Sequence, residues 1–222
     1  QMKMKAKAVA FAFNNYFING DAAVDPDGFE GLKKRVSNMP SRMTIYLDSN
    51  GAGTGTSLKV LASSTTQNQF LDALHQARKY VGGATHMFCN ETTWLGFGKV
   101  ARRLNLYQQI TDALDRTWNT FDGVKLMDVG LKGDKSTEII TNTETTSSDT
   151  NSSSIYVVRI DTDDGLHGLQ LNGKTPEPYD PLTGGELESG PQFLRRIDWP
   201  VGLFNLSNYC IARITGFKMA AS

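Results

Sequence analysis

The sequence predicts an α+β protein, in which helices and strands follow one another without a repeating unit. The clearest helical signal lies in residues 67–81, where the apolar residues share one face: Phe70, Leu71, Leu74, Ala77 and Val81. Short β-rich runs at 86–89, 124–129 and 210–217 predict strands. No period of about 20 to 50 residues recurs, which argues against a solenoid.

Composition excludes several classes of function. The 222 residues carry 23 basic and 23 acidic side chains, so no net field attracts the chain to nucleic acid or to an anionic membrane. The longest apolar run is far shorter than the roughly 20 residues that cross a bilayer, and the features of a signal peptide are missing. We therefore expect a soluble, unsecreted protein in which Cys89 and Cys210 are buried thiols.

The N-terminal residues carry two competing signals. Residues 2–13 alternate in the manner of a strand, yet Met, Lys and Ala are strong helix formers, and Val9, Phe13 and Phe17 share a helical face. We predict a helix that ends near Asn19-Gly20, with the lysines at positions 3, 5 and 7 in solvent.

Two further helices have recognisable ends. Thr65 or Thr66 is expected to cap the helix Gln67 to Val81, which Gly82-Gly83 would stop. Asn90 or Thr92 is expected to cap a helix around Leu95 to Leu104. For residues 106–116, helical spacing and turn-rich composition conflict, and the assignment stays open.

The second half of the chain is predicted to be mainly β. Residues 136–154 contain few large apolar groups, so we expect a long mobile loop on an exposed rim. Ile155 to Ile160 and Leu166 to Leu171 flank the sequence DTDDG and predict a hairpin. After the Pro/Gly-rich loop 172–191, strands are expected at 193–198 and 210–217.

A glycine-rich stretch at 51–57 follows a β-rich run, as in a phosphate-binding loop. The P-loop pattern requires a lysine before its Ser/Thr, and Thr56 stands at that position. A surface loop is the favoured interpretation, and a nucleotide-binding enzyme is the weaker alternative.

The remaining candidate chemistry also favours structural roles. DTDDG at 161–165 and the sequence DPDG at 25–28 lack the calcium-loop register and predict turns. The three histidines, His75, His86 and His167, have no metal-ligand spacing. The three tryptophans, Trp94, Trp118 and Trp199, are expected to be core or interface residues. We therefore predict no catalytic, cofactor-binding or metal-binding residues, no cofactor and no enzyme activity.

The order of several short motifs resembles tailed-phage major capsid proteins of the Hong Kong 97 type, a fold shared with encapsulin shells. The helix ending in FINGD at 17–21 is followed by FEGL at 29–32, then by the helix at 70–81 and the strand MFCN at 87–90. Further on, FDGV at 121–124, SIYVVR at 154–159 and GLHGL at 165–169 follow in family order. WPVGL at 199–203 and ARITG at 212–216 resemble the return strands.

The resemblance implies a Hong Kong 97-type capsid fold with a spine helix, a peripheral domain and an axial domain. Residues 1–85 with 205–222 would form the peripheral-like domain, and 86–204 the axial-like domain. Family members carry an N-terminal arm and an extended hairpin before the spine helix. Little precedes that helix here and the chain begins at Gln1, so we expect those parts to be missing from it.

The function implied is that of a structural shell subunit. In the viral form, a major capsid protein self-assembles into pentamers and hexamers of an icosahedral head around double-stranded DNA. Scaffolding, portal or decoration proteins would be its partners, contact with packaged DNA would be weak and non-specific, and there would be no membrane partner. It would assemble in the host cytoplasm and reside in the virion. An encapsulin-like compartment with a cargo-docking groove is the close alternative.

Overall fold

Four α-helices and thirteen β-strands lie within the residues that the computed structural model describes, which are 2–104, 108–111, 117–146, 149–171, 177–179 and 196–220. The helices are α1 (Met2–Asn19), α2 (Leu32–Ser37), α3 (Ser64–Val81) and α4 (Glu91–Arg103), with a 3₁₀ turn at Ser41–Met43. The strands of the first half are β1 (Thr44–Tyr46), β2 (Leu58–Lys59), β3 (His86–Cys89), β4 (Gln108–Thr111), β5 (Thr117–Phe121) and β6 (Val124–Asp128). Those of the second half are β7 (Glu144–Thr146), β8 (Asp149–Val158), β9 (Leu166–Gln170), β10 (Glu177–Tyr179), β11 (Arg196–Asp198), β12 (Val201–Asn205) and β13 (Ile211–Lys218).

Nine strands form one mixed sheet with the order β1-β13-β8-β3-β6-β5-β4, to which β2 adds beside β13 and β7 beside β8. β8 is antiparallel to both of its long neighbours: Val158 lies opposite Ile211 of β13 and opposite His86 of β3. β3 and β6 are parallel, so a crossover connection is required, and α4 lies within it. The α+β class is thus confirmed as a mixed architecture.

The core lies where α3 packs on the central strands. Residues 152–158 of β8 are all buried, as expected for a strand covered on both faces. On the helix side, Phe70 and Leu74 are fully buried, and the Phe70 ring lies 5.3 Å from that of Phe217 in β13. The stripe predicted from residues 70–81 is therefore confirmed as the core face of α3.

The predicted cap of α3 is wrong, whereas one of the two caps predicted for α4 is confirmed. α3 begins earlier than predicted, because Ser63 is its N-cap and Thr66 closes a reciprocal capping box with it. At α4, the Asn90 side chain accepts a hydrogen bond from the N–H of Thr93 at 2.9 Å, so Asn90 and not Thr92 is the cap. The glycines at 82 and 83 both have positive φ, which fits the predicted stop of α3.

The prediction of a long mobile loop at 136–154 is wrong. Ile139 and Ile140 are buried, β7 pairs with β8, and Ser152, Ser153 and Ser154 lie inside the sheet. The Ser152 hydroxyl donates to the backbone carbonyl of Glu144, and the Ser154 hydroxyl donates to the Glu144 carboxylate. Both buried hydroxyls therefore have a hydrogen-bond partner. Small hydroxyl residues can therefore occupy a central strand when a partner strand supplies acceptors.

The predicted hairpin between 155–160 and 166–171 is also wrong. β8 belongs to the large sheet, whereas β9 pairs with β12 in a separate two-stranded sheet. Ile160 and Leu166 form only an isolated parallel bridge around the turn at 162–164. The turn itself is confirmed, but it redirects the chain from one sheet to another.

Several predicted boundaries are tested only in part. Residues 108–111 of the ambiguous segment form β4, whereas 105–107 and 112–116 lie outside the described residues. Of the loop 172–191, residues 172–176 and 180–191 lie outside them, as does Phe193, while 196–198 form β11. Strands from both predicted domains share the large sheet: β1, β2 and β13 from one, and β3 to β8 from the other. The domain division stays a prediction.

Candidate functional site

The C-terminal end of α1 is locked by the turn that follows it. The N–H of Gly20 donates to the carbonyl of Tyr16 at 2.9 Å and closes the helix. The N–H of Gly31 then donates back to the carbonyl of Gly20 at 2.9 Å, so the chain folds over on itself between the two glycines. The Asn19 side chain also donates to the carbonyl of Ile139 at 2.8 Å, which ties the helix to the segment before β7.

Both glycines of this lock are required by close backbone approach. A Cβ at Gly20 would lie 2.2 Å from the carbonyl oxygen of Phe29, and one at Gly31 would lie 2.4 Å from that of Tyr16. The loop between them is held by a hydrogen bond from the Tyr16 hydroxyl to Asp25, and by an ion pair of 3.1 Å between Lys34 and Asp21. The hydrogen bond to the Asp25 carboxylate raises the pKa of Tyr16.

In contrast to its end, the beginning of α1 is exposed. Residues 4–8 are all exposed, including Met4 with 74% of its surface accessible, whereas Ile18 near the C-terminal end is buried. The solvated positions predicted for Lys5 and Lys7 are confirmed, while the side chain of Lys3 lies outside the described residues. α1 is thus held at its C-terminal end, whereas residues 4–8 near its beginning are exposed.

An apolar groove runs along one side of α1. Phe13 of the helix packs against Phe29 at 5.7 Å and against Trp199 at 4.9 Å between ring centroids, and Val9 and Val201 extend the lining. The groove encloses about 210 Å³ and is open to solvent. Asp25 and Asp27 also line the groove, so its lining is mainly apolar and partly acidic.

A second and larger groove of about 530 Å³ lies on the other side of α1. Its lining includes the apolar residues Met4 and Phe11 and three lysines, Lys7 of the helix and Lys132 and Lys135 from the turn after β6. Charge is therefore distributed unevenly around the helix in a chain whose formal net charge is zero.

A buried ion-pair network ties α2 to the large sheet. The Glu144 carboxylate accepts from Arg213 Nη2 at 2.8 Å and from the Ser154 hydroxyl, and it pairs with Lys33 at 3.3 Å. Burial acts to raise the pKa of Glu144, but Arg213, Ser154 and Lys33 outweigh it and hold that pKa below its ordinary value. This charged cluster fixes three elements relative to one another.

The glycine-rich loop at 51–57 is closed by a carboxylate of the chain itself. Asp48 accepts hydrogen bonds from the N–H groups of Ala52, at 3.1 Å, and of Gly55. Burial acts to raise the pKa of Asp48, but these N–H groups and that of Gly53 outweigh it and lower the pKa. Backbone N–H groups of this kind would bind phosphate in a P-loop, and here the Asp48 carboxylate occupies them.

The histidines and cysteines are dispersed, as the sequence predicted. His75 lies beside Asp122 at 3.8 Å, His86 contacts Thr85 at 2.9 Å, and His167 packs against Phe204. Both cysteines are free and buried, which confirms the prediction for them, and burial strongly raises the pKa of the Cys89 thiol. Within the described ranges, no cluster of three or more His, Cys, Asp or Glu residues could hold a metal ion.

Two of the three predicted tryptophan positions can be assessed. Trp94 packs partly buried against the core, and Trp199 lines the apolar groove beside α1. The side chain of Trp118 lies outside the described part of the chain. None of the described helices is long and apolar enough to cross a membrane.

Sequence reasoning missed Glu144, Arg213 and Asp48. Each acts through partners far away or through backbone N–H groups, and no local pattern marks such residues. Glu144 stands within residues 136–154, and the polar composition of that segment predicts a loop, so its charge alone does not mark it as a buried residue.

No protein-family model matches the chain, and no curated protein is similar to it. Among solved structures, it is similar to the encapsulin of a holo-SrpI encapsulin complex from Synechococcus elongatus PCC 7942, determined by cryo-electron microscopy. The TM-score is 0.65 at 13% sequence identity, and the match covers 98% of this chain. The chain spans 65% of the length of that encapsulin chain.

The fold is therefore that of an encapsulin shell protein, which is the Hong Kong 97-like fold. The match extends over nearly the whole chain, so it includes α1, the locked turn after it and the large sheet. The sequence resemblance to this fold is confirmed at the level of the fold, and the assignment to tailed-phage capsid proteins stays a prediction.

Proposed function

We propose that this chain is a subunit of a self-assembling protein shell, and that an encapsulin-like compartment is the form of shell with the best support. The observation that carries the proposal is the structural similarity to an encapsulin over 98% of the chain. Shells of identical subunits require surfaces that fit copies of the same chain, and closed symmetry determines how those surfaces meet.

The geometry of α1 supports this role. An 18-residue helix is about 27 Å long, and here only its C-terminal end is locked by the turn at residues 20–31. Apolar side chains such as Val9 and Phe13 line the groove beside it and remain partly exposed in the isolated chain. Neighbouring subunits that cover this helix would gain hydrophobic burial in proportion to the apolar area removed from water.

The role we propose is structural and not catalytic, with no cofactor. The glycine-rich loop supports this, because Asp48 occupies the N–H groups that a nucleotide phosphate would need. Charged groups such as Glu144 and Arg213 are paired with each other inside the fold. The nucleotide-binding enzyme therefore remains the weaker alternative.

The partners we propose are further copies of the chain, arranged as pentamers and hexamers. In the viral alternative these would enclose double-stranded DNA through weak, non-specific contacts, with scaffolding, portal or decoration proteins as further partners. That shell would assemble in the host cytoplasm and be found in the virion. In the encapsulin-like alternative the content is protein.

Purifying the full-length gene product from cells that also contain its natural genomic neighbours tests the proposal. We expect elution as a particle of megadalton size, and we expect the contents to decide between the two forms. A discrete co-purifying protein inside the particle supports the compartment, whereas nuclease-protected double-stranded DNA supports the viral capsid. A monodisperse monomer at high protein concentration would contradict both.

A further inference from the structure

The two grooves beside α1 carry opposite charge. The first, here called the acidic groove, is lined by the carboxylates of Asp25 and Asp27 and, among the residues that the structure describes, by no basic side chain. The second, here called the lysine groove, is lined by Lys7, Lys132 and Lys135 and, within the same described ranges, by no acidic side chain. The chain thus presents both signs of charge beside one helix, although its formal net charge is zero.

The charges of the lysine groove have no counter-ion in the described part of the chain. Lys7 and Lys135 are exposed and Lys132 is half-buried, and none of their ammonium groups forms an ion pair with a described residue. Asp134 lies in the same turn, but its carboxylate accepts hydrogen bonds from the hydroxyl and from the N–H of Thr137. The lysine groove is therefore open to an acidic partner.

The acidic groove has the chemistry that receives a lysine side chain. Its walls are aromatic, since Phe13 lies 5.7 Å from Phe29 and 4.9 Å from Trp199 between ring centroids. A lysine side chain has an apolar stem that packs on such rings and an ammonium head that is attracted by ring faces and by carboxylates. Asp27 is exposed and has no ion pair within the described ranges, so its carboxylate is available to such a head.

A second copy of the chain can bring the two grooves together. Within one copy they lie on different sides of α1, with Ala12 lining both, so the lysines do not reach the acidic groove of their own chain. The turn after β6 can reach a neighbour, because residues 133–137 are all exposed. A protein surface also suits the lysine groove better than nucleic acid does, since phosphates would leave its apolar residues Met4 and Phe11 without packing partners.

The distribution of charge determines how the second copy approaches. A two-fold axis through either groove would bring that groove against itself, so that like charges would meet. A head-to-tail contact instead places the lysine groove of one copy against the acidic groove of the next, and repeated contacts of this type can close into a ring. Each copy then uses each groove once, and the opposite charges compensate each other between copies.

We propose that the lysine groove of one copy docks on the acidic groove of the next copy, with Lys132 and Lys135 directed towards Asp27 and the aromatic walls around it. This inference rests on the proposed shell function and assigns the contact between neighbours around a ring. Complementary charges of this kind favour the correct orientation and oppose the wrong ones.

Zero-length crosslinking of the unmodified full-length gene product tests the contact directly. A carbodiimide joins a lysine amine to a carboxylate as an amide when the two groups touch. Unlabelled and isotope-labelled copies, mixed before assembly, distinguish links within one chain from links between chains in the mass spectra of the peptides. We expect links between copies from Lys132 or Lys135 to Asp27. Lys34 and Asp21, which are 3.1 Å apart, are the internal control, because their link forms within one chain.

Charge reversal provides a second measurement. Lys132→Glu combined with Lys135→Glu makes the lysine groove acidic, and we expect at least a tenfold loss of shells by light scattering and electron microscopy. The matched control is Lys79→Glu with Lys99→Glu, which changes the net charge equally at exposed positions outside both grooves and should assemble as the wild type does. Adding Asp27→Lys to the first variant removes the like-charge repulsion and should restore part of the shells, which it would not do for a folding defect.

The outcomes separate the contact from the shell function. Wild-type shells without the links between copies, or an equal loss of shells in the control variant, would overturn the contact and leave the shell function standing. A reversed variant that forms shells in wild-type yield but no longer binds duplex DNA would assign the lysine groove to nucleic acid and also overturn the contact. If the wild type forms no shell, the shell function fails, and the contact survives only if smaller oligomers carry the links. A wild-type monomer without the links overturns both.

Discussion

The Glu144 carboxylate lies 2.8 Å from the guanidinium of Arg213, a residue 69 positions further along the chain. The pair joins β7 to β13, and both side chains are largely buried, with 10% and 19% exposed. Ser154 of β8 lies between them, since it donates to the carboxylate and accepts from Arg213 Nε at 3.0 Å. The pair therefore fixes β7 and β13, which both pair with β8, relative to each other.

Removing the charge of Glu144 should destabilise the fold strongly. Glu144→Gln leaves Arg213 buried without its counter-ion, and breaking a buried pair in this way costs about 3 kcal/mol. Lys33→Met is the matched control, because it removes the more exposed partner of the same carboxylate and should cost less than about 1 kcal/mol. Chemical denaturation measures the free energy of unfolding of both variants. Equal losses of stability would contradict the assignment of Arg213 as the main partner of Glu144.

Stability should fall at acid pH for the same reason. The pKa of Glu144 is lowered from 4.5 in the folded state, and that of Asp149, paired with Lys218 at 3.0 Å, is lowered from 3.8 to about 2. A lowered pKa contributes stability that is present above the unfolded value and is lost as the pH falls through the folded value. The free energy of unfolding should therefore decrease from about pH 5 towards pH 2.

The variants Glu144→Gln and Asp149→Asn identify the source of this pH dependence. Each should unfold with a shallower dependence on pH below about 5, because one of the groups that bind protons on unfolding is gone. Denaturation curves recorded at several pH values make the comparison. Curves that stay parallel to those of the wild type would show that other carboxylates determine the acid response.

The lock at the end of α1 should not tolerate a side chain. Gly20→Ala places a Cβ 2.2 Å from the backbone oxygen of Phe29, so the backbone must shift, and we expect a loss of about 3 kcal/mol. Gly98→Ala is the control, because Gly98 lies in α4 with open space around it, and alanine there should stabilise by about 0.5 kcal/mol. A melting temperature of Gly20→Ala within a degree of wild type would refute the lock.

The glycine-rich loop should depend on Asp48 and should not bind nucleotide. Asp48→Ala removes the acceptor for the N–H groups of Ala52 and Gly55, which should cost about 1–2 kcal/mol. Asn50→Ala, in the exposed part of the same loop, should change stability by less than about 0.5 kcal/mol. Calorimetric titration of the wild type with ATP and magnesium should show no binding, and tight magnesium-dependent binding would favour the enzyme alternative.

Local sequence signals predicted the elements that depend on local interactions. The stripe of α3, the Asn90 cap of α4 and the strand at 86–89, of which Met87 and Cys89 are buried, follow from side-chain periodicity and capping, which neighbouring residues determine. The order of the short motifs predicted the fold, and the structural similarity to an encapsulin supports that prediction.

The errors arose where distant residues decide the structure. Residues 149–154 look like loop sequence, and they form six of the ten residues of β8, where Glu144 supplies acceptors for the hydroxyls of Ser152 and Ser154. The apparent hairpin at 155–171 contains two strands whose partners, β13 and β12, lie more than 30 residues away along the chain.

Electron microscopy of the purified full-length gene product tests the shell function most directly. We expect closed particles of uniform diameter whose subunit density contains α1, the locked turn and the nine-stranded sheet described above. A homogeneous preparation of isolated monomers that forms no closed particles at any concentration would contradict it.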